Sequence, residues 1–268
     1  MDYRALGDYH VHTRYSDGEG EVEECVERAV SLGLFEIGIS DHLVPPGLGE
    51  AGSYGIAPEL LDSYVADVQG AAARHPEIRV LLGVEADYLS EYEHWLRETL
   101  CTYPFDYVIG AVHFVGRFAF DNESVPGHPG WPDADAVYRA YYEAVACAAR
   151  CGLFDVIAHI DYITVWSERP TQDIEAFEDA ALEAVAGAGT TIELCTSGIL
   201  DWPGLMYPSA RLLGRAHDLG VPLIIDSDAH EPGQVGLAFD QGVAAARAAG
   251  YETTVRLSDR NFVSLPLA

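Results

Sequence analysis

The chain predicts an α/β barrel of about seven strand–helix units folded as a single domain, and three observations carry that expectation. Short apolar runs alternate with helix-length amphipathic stretches from end to end. Most of those helical stretches stop at a glycine or a glycine-containing turn, as at Gly33, Gly152, Gly189, Gly220 and Gly250. Side chains able to bind metal ions recur at the C-terminal ends of the apolar runs. Strands separated by helices of this length pair in parallel. A barrel is the parallel arrangement that brings all C-terminal strand ends to one face, where active sites form. A length of 268 residues fits one such unit, taken here as residues 1–268.

The elements follow in order. The first strand is expected over 7–11, and the helix after it over 21–32, where Val22, Cys25, Val26, Ala29, Val30 and Leu32 fall on one stripe. Further strands are expected over 35–39, 80–84, 107–112, 156–158, 190–194 and 223–225. Further helices are expected over 58–74, 91–100, 133–151, 173–188, 209–219 and 235–249. Residues 251–257 are expected as a closing strand or cap. Two long loops rich in Gly and Pro, 43–57 and 114–131, each follow a candidate ligand, so both are placed on the catalytic face as lids or substrate-binding loops. No internal repeat or interdomain linker is evident.

Composition removes several classes of function. A net charge of −28, from 43 acidic against 15 basic residues, opposes binding to nucleic acid and to anionic membrane surfaces. No apolar run is long enough for a transmembrane helix, and the N-terminal residues lack the apolar core of a signal peptide. Five cysteines without scaffold spacing suit a reducing, cytoplasmic setting. Cys147 and Cys151, one helical turn apart, are read as packing residues. The chain has no lysine, which excludes Schiff-base catalysis, a Walker phosphate loop and metal pairs bridged by a carboxylated lysine. Metals, carboxylates, imidazoles and arginines remain.

The candidate ligands are His10, His12, Asp17, His42, Glu85, His113, His159, Asp228 and His230. His10 and His12 alternate on a strand and so face the same side, and Asp228 and His230 repeat that spacing. Imidazole nitrogens with carboxylate oxygens suit Zn, Fe or Mn. Asp8, Asp41 and Asp161 lie beside ligands and are expected to orient imidazoles through their second ring nitrogen. Asp226 is expected on the face of Asp228, adding negative charge there. His75, His94 and His217 fall on helices and are read as solvated, while His128 lies in the second long loop within reach of a substrate.

These motifs resemble the PHP (polymerase and histidinol phosphatase) superfamily across essentially the whole chain. The resemblance rests on the run from Asp8 through His10, His12 and Ser16 to Asp17, on Ser40-Asp41-His42, Gly83-Val84-Glu85, Ala111-Val112-His113 and Ala158-His159, and on Ser227-Asp228-Ala229-His230. It is strongest for the histidinol-phosphate phosphatase branch, through the segments 103–114 and 152–161 and Thr196-Ser197-Gly198. It implies a distorted (β/α)7 barrel around three divalent ions. One would take His10, His12, Glu85 and Asp228. A second would share Glu85 and add His113 and His159, and a third would take Asp17, His42 and His230. The implied reaction is hydrolysis of a small phosphomonoester with Glu85, Asp228, His230 and Arg169 as catalytic groups. Arg169 matches a family arginine and is the expected phosphate clamp, with Arg14, Arg117 and His128 as further substrate contacts. Departures fall on the substrate side: Ile199-Leu200-Asp201-Trp202 stands where an arginine is common, Cys195 replaces an asparagine, and Glu231 follows the last motif where a basic residue is frequent. An amine-bearing phosphate ester, or another phosphate of secondary metabolism, fits that acidity. A barrel amidohydrolase cleaving C–N bonds is the alternative outside the family, poorly served by Asp41-His42 and Glu85.

Overall fold

In the computed structural model, which describes residues 6–120, 133–258 and 261–267, every expected strand is present, though most are shorter or broken. The order is β1 (Gly7–Asp8), α1 (Val22–Leu32), β2 (Glu36–Ile39), β3 (His42–Leu43), α2 (Leu61–Arg74), β4 (Arg79–Leu82), β5 (Glu85–Asp87), α3 (Glu93–Thr102), β6 (Ile109–Ala111), β7 (Phe114–Val115), β8 (Phe118–Ala119), α4 (Ala134–Arg150), β9 (Val156–Ile157), α5 (Glu175–Ala188), β10 (Thr191–Cys195), α6 (Ala210–Asp218), β11 (Leu223–Asp226), α7 (Phe239–Ala248), β12 (Thr253–Ser258) and β13 (Asn261–Pro266).

The strands form a three-stranded parallel sheet in the order β1-β2-β4 and a six-stranded parallel sheet in the order β11-β10-β9-β6-β5-β3. The predicted second and third strands fall in β2 and β4 of the first sheet; the chain then breaks at residues 40–41 and 83–84 and continues, beyond the predicted runs, as β3 and β5 of the second sheet. The Tyr107 ring packs directly on β2 and on the residues leaving β4: a Cβ on Gly38 would lie 2.1 Å from its hydroxyl oxygen, and one on Gly83 would lie 2.2 Å from its Cζ. Where β2 and β4 end, the Ile39 carbonyl accepts from the Gly83 amide at 2.8 Å, and the buried Tyr64 hydroxyl of α2 is shared between the carbonyls of Ile39 and Gly83, both at 2.8 Å. Gly83→Ala is expected to destabilise the fold by ~1–3 kcal/mol, the usual cost of forcing a methyl into a packed interior. An unchanged melting temperature would mean that Tyr107 can move aside.

The expected barrel does not close as one hydrogen-bonded sheet among the described residues. Between β1 and β11, buried carboxylates take the place of main-chain partners. Asp226 accepts from the Tyr9 amide at 2.7 Å, and Asp8 accepts from the Ser227 amide at 3.0 Å. Past these side chains the two segments meet in a single parallel bridge, Val11 with Ala229.

The N-terminal ends of the strands are covered by the antiparallel hairpin β12–β13, so residues 251–257 form a cap. Val255 and Leu257 join Tyr9, Leu81, Tyr107, Ile109, Val156 and Ile224 in an interior apolar cluster. The helices surround the strands and bury their stripes, as in α4 with Val137, Tyr138, Tyr141, Tyr142 and Val145. The helices expected from 58 and 91 start later because short 3-10 turns at Pro58–Leu60 and Ser90–Tyr92 take up their first residues, and α7 starts at Phe239, after a turn over 235–238. Of the two long loops, the first holds a 3-10 turn at Gly49–Gly52 and the second opens with the hairpin β7–β8. Among the described residues no helix is long and apolar enough to cross a membrane.

Candidate metal centre

The strand ends place the nine expected ligands together. His10 and His12 follow β1, and His42 and Glu85 open β3 and β5, where they are register partners. His113 and His159 come just after β6 and β9, and Asp228 and His230 just after β11. Asp17 arrives on the turn beyond His12. Among the described residues, four overlapping groups have ligand atoms mutually within 4.8 Å: His12, Asp17, His42 and His230; His10, Glu85 and His159; His10, His12 and Asp228; and His42, Glu85 and His113.

Glu85 lies at the centre. It is fully buried, with Oε1 3.2 Å from His159 Nε2 and 3.8 Å from His113 Nε2. Its Oε2 lies 3.2 Å from His10 Nε2, 3.5 Å from His12 Nε2 and 2.7 Å from His42 Nδ1. None of these last four atoms makes a directed hydrogen bond, although all are buried. Imidazole lone pairs converging on a carboxylate without hydrogen bonds is a donor set arranged for a cation, and orphaned buried polar atoms call for such an explanation. On the outer side, Asp17 Oδ1 stands 3.5 Å from both His42 Nε2 and His230 Nε2.

Electrostatics agree with that arrangement. Burial alone would raise the Glu85 and Asp228 carboxyls, but the surrounding histidines, His10 foremost, hold both below the ordinary range. Burial, with like charge from His42 and His230, pushes His12 down to about 3, leaving a neutral imidazole with a lone pair to offer. Burial opposes charge on His230, yet Asp17 and Asp228 carry it up to about 9. The carboxylates of the centre thus draw positive charge inward, and divalent ions supply such charge while requiring the imidazoles neutral. His159 and Asp228 also hold positive φ, 23° and 52°. Such backbone is costly for residues other than glycine and collects at functional sites.

The side chains that orient these ligands differ from the expected ones. Asp8, Asp41 and Asp161 are buried but, among the described residues, make no imidazole hydrogen bond. Asp41 instead pins the turn leading to Asp17, accepting from Thr13 N and Oγ1 at 2.8 Å each and from Ser16 Oγ at 2.5 Å. Asp161 accepts from the Ser209 amide at 2.8 Å. Imidazole partners come from Glu193 and Asp87: His10 Nδ1 is 2.5 Å from Glu193 Oε1, and His113 Nδ1 is 2.9 Å from Asp87 Oδ1. Glu193 Oε2 also accepts from the strained His159 amide at 3.0 Å. Both acids left a trace in the sequence. Asp87 stands two residues after Glu85 on the same strand face, and Glu193 is a lone charge inside an apolar strand. Asp226 likewise departs from expectation. It lies behind the ligands, fully buried, where desolvation and the nearby Glu193 and Asp8 raise its carboxyl well above the usual range and favour the neutral form.

Cys195, where the motif leads one to expect an amide, supplies a donor: its Sγ is 3.7 Å and Ser197 Oγ 3.2 Å from Asp228 Oδ2. Tyr162 stands against His159 with ring centroids 4.6 Å apart. Of the expected substrate contacts, Arg14 is exposed and paired with Glu21. Arg117 on the β7–β8 turn donates to the Gly47 carbonyl and the Tyr92 hydroxyl, both at 3.3 Å. Arg169 folds onto the carbonyls of its own loop, at 3.0 Å from those of Thr164 and Glu168 and also against that of Trp166. His128 lies outside the described residues. His94 is exposed as expected, but His75 is half-buried and bonds Glu23 at 2.7 Å. Of the cysteine pair only Cys151 packs, since Cys147 is exposed.

The chain is similar to several known proteins. Residues 8–197 match the PHP domain family. The chain is 33% identical over 250 residues to a probable histidinol-phosphatase of Deinococcus radiodurans, covering 92% of this chain and 95% of that protein. It is 24% identical to the histidinol-phosphatase of Bacillus subtilis, over 87% of this chain and 96% of that one. Its fold is similar to that of the Lactococcus lactis histidinol phosphate phosphatase solved with zinc, L-histidinol and phosphate, with a TM-score of 0.82 at 20% identity, covering 97% of this chain and 99% of that one.

Proposed function

The chain belongs to the PHP domain family, and on that premise we propose that it is a metal-dependent phosphomonoesterase of the histidinol-phosphatase type, with histidinol phosphate or a related amino-alcohol phosphate as substrate. The observation that carries this reading is the gathering of five imidazoles around the buried Glu85 carboxylate, with Asp17, Asp228 and His230 alongside. A reading with three ions is supported by the sorting of the nine residues into overlapping groups, two of which share Glu85. We take the two sheets as one interrupted, distorted seven-stranded barrel, supported by the Val11–Ala229 bridge and the carboxylates stitching β1 to β11. The whole of residues 1–268 would then act as one unit. Its five free cysteines accord with a cytoplasmic setting.

Divalent ions bound here would lower the pKa of water and neutralise charge on the phosphoryl oxygens. The chain's own residues set up that chemistry. Glu193 and Asp87 hold the Nδ1 protons of His10 and His113, leaving each Nε2 as an acceptor towards Glu85. Cys195 and Ser197 bind one oxygen of Asp228 and turn the other towards His12, 3.2 Å away. Arg169, held by neutral carbonyls, is the cation we assign to the phosphoryl group. Glu231, next in the chain to His230, and Asp201, just after the Ser197–Leu200 turn, add negative charge that would suit a substrate carrying an amine.

Protein purified without chelator is expected to carry more than one metal ion per chain by elemental analysis. Enzyme loaded separately with Mn, Fe and Zn is expected to release phosphate from histidinol phosphate ahead of other phosphomonoesters. Phosphate release by metal-free protein would sink the mechanism, and indifference to the amine of the substrate would move the reading to another phosphoesterase of the family.

A further inference from the structure

The first long loop leaves the metal centre and returns to it at one residue. It departs after His42, and the Ile56 amide closes its neck by donating to the His42 carbonyl at 2.8 Å. Between these points it has its own small core: Val44, Leu48, Ala51 and Tyr54 pack with Tyr92 against Leu89, Phe114 and Ala119. Tyr54 turns from that core towards the ligands. Its hydroxyl donates to Asp87 Oδ2 at 2.7 Å, while Asp87 Oδ1 is 2.9 Å from His113 Nδ1. Its ring meets the His42 ring edge-on, with centroids 4.7 Å apart, and the His113 ring at 6.2 Å.

We propose that Tyr54 is a positioning residue that ties this loop to the metal centre through the relay Tyr54–Asp87–His113 and through ring contact with His42. The proposal rests on the phosphomonoesterase reading only in taking His42 and His113 as metal ligands. The hydroxyl occupies one oxygen of Asp87 and leaves the other to fix the tautomer and tilt of His113, as outer partners of metal-bound histidines do. The ring limits where His42 can swing, and a T-shaped aromatic pair is directional enough to do so. Loop order and metal occupancy are therefore linked. By reciprocity, whatever the seated loop adds to metal affinity, bound metal returns as protection of the loop. An arriving substrate that displaced the loop would loosen His113, so the loop is a part of the centre and not a surface insertion.

The test is zinc binding by the full-length protein stripped of metal, measured by chelator competition, together with amide exchange of residues 44–57 with and without zinc. In wild type, zinc is expected to slow exchange across the loop. Tyr54→Phe, which keeps the ring and removes only the hydroxyl, is expected to weaken zinc binding by ~10-fold or more and to blunt that protection. Asp87→Asn is expected to do the same. Adding Tyr54→Phe to Asp87→Asn is expected to cost nothing further, since both cut one relay. Zinc affinity and loop protection unchanged in Tyr54→Phe would overturn the proposal while leaving the metalloenzyme reading in place, and additive losses in the double variant would overturn the relay. A wild-type protein that binds no zinc, manganese or iron would remove both.

Discussion

Glu85→Gln is expected to reduce turnover by ~10²-fold or more and to lower the content of more than one metal ion together. The side chain is fully buried and its two oxygens face five imidazoles at 2.7 to 3.8 Å. Glutamine keeps the shape but replaces one acceptor oxygen with an amide donor and removes the negative charge. The substituted end would offer N–H groups where a cation needs a lone pair. The two ligand groups that share this residue, one with His10 and His159 and the other with His42 and His113, lose it at once. Phosphate release and elemental analysis on the same preparation read the two effects. Loss of one ion alone would assign Glu85 to a single site, and near-normal turnover would end its bridging role.

Arg169→Ala is expected to lower kcat/KM by about two to three orders of magnitude with metal content unchanged, the scale of losing one preorganised donor to a transition-state oxyanion. The structure adds a physical ground for ranking the three arginines. Arg14 is engaged by the carboxylate of Glu21, whereas Arg117 and Arg169 are engaged by neutral oxygens. A phosphate forms charge-assisted, bidentate bonds that exceed those to carbonyls. Recruiting Arg169 or Arg117 therefore costs less than pulling Arg14 from its partner. Arg14→Ala and Arg117→Ala are each expected to do less than Arg169→Ala. A silent Arg169→Ala beside a crippled Arg117→Ala would move the phosphate to the β7–β8 turn and leave the metal centre as it stands.

Much of this centre was legible before any coordinates. Of the nine candidate ligands all but Asp17, which comes on a turn after His12, lie at or close to a strand end, and the i, i+2 spacing of His10 with His12 and of Asp228 with His230 predicted shared faces. The same rule applied to Glu85 would have found Asp87. It failed for Asp226, which shares a spacing with Asp228 but not its surroundings, because Asp228 turns through positive φ and aims its carboxylate elsewhere.

What the sequence by itself determined is the alternation of strands and helices and the set of candidate ligands, since both follow from local periodicity and from side chains with few other uses at a buried strand end. Only the tertiary structure decided where strands break, which carboxylate holds which imidazole and whether the sheet closes. Those outcomes depend on groups distant in the chain. The Tyr64 hydroxyl sits at the carbonyls of Ile39 and Gly83 where β2 and β4 end, Glu193 reaches across the interior to His10, and Asp8 and Asp226 substitute for backbone between β1 and β11. A buried polar group must find a partner, but which partner lies within 3 Å is set by packing depth and strand register, and neither has a period that a single segment can carry.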